Sequence, residues 1–183
     1  MYFAKAGEQN TQEALRIALE EAEKRGIRHM VVASTWGDTG LKAAKLLQGK
    51  RIALCVVSHN TGFSKEGEQE FDQAKRSQIE KLGGTVYTGT MVLRNLGTAI
   101  RSLQSYSQQD LVANTLRMLG QGMKVCVEIV AMAVDAGLIP CEDVIAVAGT
   151  GRGADTVALI RANSSNNFFQ IKVREILAKP RNF

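Results

Sequence analysis

Two segments of this chain combine residue types at a spacing that can hold an anion. The first is Ser34-Thr35-Trp36-Gly37-Asp38-Thr39. Three hydroxyls surround a glycine where an apolar run, Met30-Val31-Val32-Ala33, gives way to an alanine-rich stretch from Leu41 to Leu47. A glycine at a strand-to-helix turn lets backbone N–H groups converge, and the helix start adds unsatisfied donors with partial positive charge. Hydroxyls add further donors for phosphate oxygens. The competing reading is an ordinary βα turn in which Ser or Thr caps the helix. Asp38 opposes the anion reading unless its carboxylate points away.

The second segment is Gly149-Thr150-Gly151-Arg152-Gly153-Ala154-Asp155. Its glycines free the backbone to wrap a ligand, and Arg152 carries the planar fork that grips phosphate. The competing reading is a tight reversal into an edge strand. Gly149, Gly151 and Ala154 also spell Gly-x-Gly-x-x-Ala, but a dinucleotide fingerprint needs a following helix and an acid about 20 residues on. Here Thr156 to Ile160 reads as strand.

Other residues stand close to these loops in the pattern. His59, with Asn60, Thr61 and Gly62, follows an apolar run and can serve as acid, base or donor, or as a satisfied structural histidine. Gln121 and Lys124 lie beside Gly120 and Gly122 at a helix start, facing either a site or solvent. Lys124 and Glu128, four apart, share one helix face, a spacing that usually makes a modest surface salt bridge. Trp36 can stack on a ligand ring or pack on its own domain. No Ser–His–Asp or Cys–His spacing stands out.

The elements that must position these residues follow from periodicity. A helix is expected from about 11 to 25, with Asn10 as N-cap and Gly26 as stop. Strands are expected at 30–33, 52–57, 85–88, 144–148 and 156–160. Their continuous apolar runs indicate a sheet covered on both faces. Helices are expected at 41–47, roughly 65–82, within 91–103, at 111–119 and at 124–136; 171–177 is ambiguous. Strands alternating with helices imply βαβ units and a largely parallel sheet, whose ligands sit beyond the carboxyl ends of the strands. Both glycine loops occupy that edge.

Bulk properties fit this picture. The chain has 183 residues, 45% apolar and 22% charged, which suits a single α/β domain over 1–183. Of the net charge of +5, residues 151–183 supply the larger part: Arg152, Arg161, Lys172, Arg174, Lys179 and Arg181 against Asp155 and Glu175. That tail lacks interleaved aromatic and basic residues, so nucleic acid is not the expected partner. Three cysteines without a pairing pattern point to a reducing, cytoplasmic setting. Two histidines without ligand spacing argue against a metal site. The start lacks a signal-peptide pattern, and no apolar run is long enough for a membrane span.

The loops also carry a likeness. Thr35 to Thr39 before an alanine-rich helix, with a late Gly-Thr-Gly-Arg-Gly loop before a strand, resembles the C-terminal α/β domain of pyruvate kinase. More closely, the chain resembles the small stand-alone pyruvate kinase C-terminal-domain-like proteins. The matching stretches include Asn10-Thr11, Val31 to Thr39, His59 to Phe63, Gly120 to Glu128, Asp135 to Gly137 and Ile145 to Asp155. The resemblance implies a three-layer fold with a five-stranded sheet, its last strand antiparallel, and possible self-association. It implies a phosphate held by Ser34, Thr35, Gly37 and Thr39, with Gly149 to Asp155 lining the rest. Stand-alone relatives are associated with FMN, the expected cofactor here; the alternative is a sensor of another phosphometabolite such as a sugar phosphate. Trp36 stands where the kinase pattern has a small hydroxyl residue, which favours a ligand with an aromatic ring. Without the barrel that carries the kinase reaction, phosphorylation of ADP is not expected.

Overall fold

A computed structural model describes residues 1–183. The apolar runs form strands β2 (His29–Ala33), β3 (Ala53–Ser58), β4 (Thr85–Thr88) and β5 (Asp143–Ala148). These pair in parallel in the order β5-β2-β3-β4. Strand β6 (Thr156–Arg161) runs antiparallel to β5. Two further strands complete the sheet, β1 (Tyr2–Lys5) and β7 (Lys172–Asn182). The sheet therefore has seven strands, ordered β1-β7-β6-β5-β2-β3-β4, not five. The added pair extends the edge beyond β6. β7 is antiparallel to β6 and β1 is parallel to β7, so β6 alone runs against the rest.

Alternation along the strands feeds two cores. Met30 and Val32 point to the face covered by α1 (Thr11–Arg25), α2 (Asp38–Leu47) and α3 (Gln73–Lys81). Val31, Cys55 and Val57 point to the other face, covered by α6 (Gln121–Asp135). α6 is apolar nearly all round because α5 (Gln108–Arg117) packs on its outer side. α4 (Asn95–Gln104) lies beside α5. Leu96, Leu103 and Leu111, on α4 and α5, are exposed. No helix is long and apolar enough to cross a membrane.

Several element ends differ from expectation for local reasons. α3 begins at 73, not near 65, because the Asp72 side chain accepts from Lys75 N–H at 2.9 Å and caps it there. Asn10 does not cap α1; its side-chain amide turns back to the carbonyls of Lys5 and Gly7. Gly26 does stop α1, in the left-handed region at φ 66°. α2 begins at Asp38, three residues earlier than expected, and α6 at Gln121.

The topology fixes where a ligand can sit. From β2 the chain moves outward through β3 to β4, then returns to place β5 on the other side of β2. The loops leaving β2 and β5 therefore diverge from adjacent strands, leaving a crevice at their carboxyl ends. Because β6 runs back along β5, the 149–155 loop is a hairpin turn at that same edge.

Candidate functional site

Gly37, at φ 95°, precedes the first turn of α2, a conformation few other residues adopt. A Cβ there would lie 2.9 Å from that of Lys75, so the site also lacks room for one. The next constraint is Gly40, where a Cβ would fall 2.7 Å from a Val56 methyl. Its absence lets the start of α2 lie close on β3. Ser34, buried, accepts from Gly40 N–H at 3.2 Å. The turn is thus held by a serine side chain, which also forms part of the crevice wall.

The crevice holds a cavity of about 270 Å³. From the first loop it takes Ser34, Thr35, Trp36, Asp38 and Thr39; from the second, Gly149, Gly151, Arg152 and Gly153. His59 and Gln121 close it from β3 and α6. In the first loop Ser34 ties the turn, as the capping reading expects, while Thr39, 5% exposed, lines the cavity without a hydrogen bond of its own. Asp38 is neutralised by Lys75, whose Nζ donates to its carboxylate at 2.6 Å. Lys42, one turn further along α2, and Arg152 line the cavity without acidic partners; Glu8 brings one carboxylate.

Arg152 lies over the Trp36 ring, 5.1 Å from its centroid. Trp36 therefore neither packs inward nor stands free; it faces the second loop and keeps 40% exposure.

Besides Lys124, four expected site residues do not line this cavity. Gly37 shapes the turn without lining the cavity. Thr61 is exposed, its hydroxyl accepting from Gln69 at 3.3 Å. Thr150 is turned away from the cavity, and its N–H donates to Asp155. Asp155 is wholly buried and accepts from Gly7 N–H at 2.9 Å, Thr150 N–H at 3.2 Å and the Thr156 hydroxyl at 2.8 Å. It fastens the second loop and the N-terminal segment to the sheet. Its side chain does not line the cavity.

A second, smaller cavity of about 90 Å³ continues inward and shares Thr35, His59 and Gln121 with the first. Lys124 and Glu128 face it as a buried ion pair, not the surface pair that i,i+4 spacing suggests. Glu128 also accepts from Leu93 N–H at 2.9 Å. Burial holds the Lys124 ammonium below its ordinary value, against the pull of Glu128, and Arg117 and Arg94 push the same way as burial. Burial also pushes the Cys55 thiol up to about 12 and raises that of Cys126, so neither offers a thiolate.

His59 proves to be a linked residue. Its Nδ1 lies 3.0 Å from Glu70 Oε2 and its Nε2 lies 3.4 Å from Thr35 Oγ1. Glu70 also accepts from the Ser64 hydroxyl at 2.7 Å. Burial raises the Glu70 carboxyl, but the bonds from Ser64 and His59 outweigh it and hold it below its ordinary value. The His59 ring stacks on Phe63, 3.8 Å between centroids, and the Arg94 guanidinium lies 4.3 Å from the centroid of Phe63. The other histidine, His29, starts β2 at the opposite edge and meets Glu142. Sequence reasoning missed Glu70 and Lys42. Lys42 was findable, as it stands four residues after Asp38 at the start of a helix; Glu70 sits in a loop, where no periodicity flags it.

No family model matches the chain. Among solved structures, it is similar to a pyruvate kinase from Cryptosporidium parvum at 12% identity and a TM-score of 0.44, covering 84% of this chain and 23% of that one. The Cryptosporidium parvum pyruvate kinase in complex with ADP gives the same identity and TM-score, with 84% and 24% covered. The chain thus spans about a quarter of the length of these enzymes.

Proposed function

We propose that this chain binds a phosphate-bearing small molecule at the carboxyl edge of its sheet, and that FMN is that ligand. One observation carries the reading. The start of α2, the unbonded Thr39 hydroxyl and two cations without acidic partners, Lys42 and Arg152, border a single cavity. Backbone donors at a helix start, a hydroxyl and a guanidinium are the set that recognises phosphate.

These residues fit the phosphate end of FMN. Trp36, half-exposed with Arg152 over its ring, offers the ring end an indole, whereas Phe63 contacts both His59 and Arg94. Bound flavin would supply a redox-active ring; the chain's own part is to hold and orient it. The test is the visible spectrum and mass of any ligand released from native protein, with melting in added FMN. At a hundredfold over its dissociation constant a ligand adds about 2.7 kcal/mol of stability. Colourless protein whose melting FMN leaves unchanged overturns the FMN assignment.

A second reading has its own support. Of the cavity walls only Ala33, Trp36, Phe63 and Val125 are apolar, and Arg152 lies over the indole. A polar metabolite such as a sugar phosphate suits such walls, with the chain acting as a sensor. Saturable stabilisation by a sugar phosphate, with none by FMN, selects it.

A further inference from the structure

We propose that Thr35, His59 and Glu70 form a relay that moves the phosphoryl group of a bound phosphomonoester onto Thr35 and then to water. The inference rests on the phosphate-binding reading above and names the reaction of that same site.

The relay has the order an activated hydroxyl requires: nucleophile, imidazole, orienting carboxylate. Glu70 accepts at His59 Nδ1, 3.0 Å away, which sets that nitrogen as the donor and leaves the Nε2 lone pair toward Thr35, at 3.4 Å. The carboxylate is itself held by Ser64, and the ring by its stack on Phe63. Hydrogen bonds of this kind are often long before substrate arrives. Thr35 belongs to the first loop, so its oxygen borders the cavity that Arg152 and Thr39 border. A histidine serving only packing needs neither a free ring nitrogen nor a hydroxyl on an open cavity.

In the first step His59 Nε2 takes the Thr35 proton while Oγ1 bonds to phosphorus. The bond from phosphorus to the ester oxygen, opposite Oγ1, breaks, and that oxygen leaves as the alcohol with a proton from solvent water, while His59 keeps the Thr35 proton. In the second step a water oxygen bonds to phosphorus opposite Oγ1 and loses its proton to solvent, while Oγ1 departs and recovers its proton from His59. Phosphomonoester plus water becomes alcohol plus inorganic phosphate, and nothing is oxidised or reduced. Arg152, Lys42 and the first amides of α2 balance the charge on the remaining phosphate oxygens.

The experiment uses the full chain with p-nitrophenyl phosphate, and melting with inorganic phosphate alongside. Wild-type protein should release p-nitrophenol, and acid quenching should leave one phosphoryl group on Thr35 in peptide mass mapping. Thr35→Val, which keeps the shape, should lose both signals, and Thr35→Ser should retain them. His59→Asn should slow turnover by about 10²–10⁴-fold. Glu70, a positioning residue, should on Glu70→Gln lower kcat with KM unchanged, beside the modest loss of melting temperature that its own bonds predict; a merely structural role would lower the melting temperature and leave kcat unchanged. Stabilisation by phosphate without turnover, or turnover that survives Thr35→Val, overturns the relay and leaves the binding reading standing. Absence of stabilisation by both phosphate and FMN overturns both.

Discussion

The Arg152 guanidinium lies 5.1 Å from the centre of the Trp36 ring, so the loop after β2 and the loop after β5 meet across the cavity. Each side chain is expected to serve a different part of the ligand. Arg152→Ala should weaken binding of FMN and of inorganic phosphate alike. A hydrogen bond to a charged group is worth about 1.5–3 kcal/mol, or roughly a 10–150-fold loss of affinity. Trp36→Ala should weaken FMN far more than phosphate. Titration calorimetry with both ligands separates the two effects.

Asp155 joins three segments from a buried position, accepting from Gly7, Thr150 and Thr156. Asp155→Asn replaces one acceptor oxygen by a donor facing other donors. The cost should be about 1–3 kcal/mol, that of a buried group left unsatisfied. Denaturant unfolding measures it, and amide exchange at Gly7 and Thr150 should accelerate together.

Lys124 and Glu128 are a buried pair, at 3% and 1% side-chain exposure. Losing one partner strands a charge, so Lys124→Met should cost about 3–5 kcal/mol. Lys124→Met combined with Glu128→Leu should cost less than the two single changes added. Equilibrium unfolding of the three variants tests this.

Glu70 gives the fold a pH dependence whose sign is fixed. Its carboxyl is held below the ordinary value in the folded chain, where the bonds from Ser64 and His59 outweigh burial. Such a group contributes stability above its unfolded value of about 4.3 and loses it as pH falls through the folded value. Melting temperature should therefore fall more steeply in wild type than in Glu70→Gln as pH drops below about 5. Melting across that acid range checks it.

What could be read from the residues alone follows a physical divide. Strands apolar on both faces announce themselves, and 85–88 is where it was expected to be. β1 could not be seen, because Phe3 is its one buried residue and four residues give no pattern. β7 is mostly exposed and carries Lys172, Arg174 and Lys179, so its pairing is set by its neighbours, not by its composition. The stretch before Asp72 is rich in Glu and Lys, good helix formers, yet has no apolar spacing to bury. The glycine loops were legible as chemistry because glycine and hydroxyl types cluster there. The pairing of His59 with Glu70 was not, since an eleven-residue loop separation obeys no period.

The reversed strand β6 has one more result. The 149–155 wall is a bend in the same sheet that carries the opposite wall, so both jaws belong to one body. A ligand bound between them would move no hinge, and its effect would pass through direct contacts. Gly153 is pressed against Glu8 and Thr11, and Ala154 N–H donates to the Thr11 hydroxyl at 3.0 Å. A ligand that tightens this bend would stiffen the opening residues of the chain first.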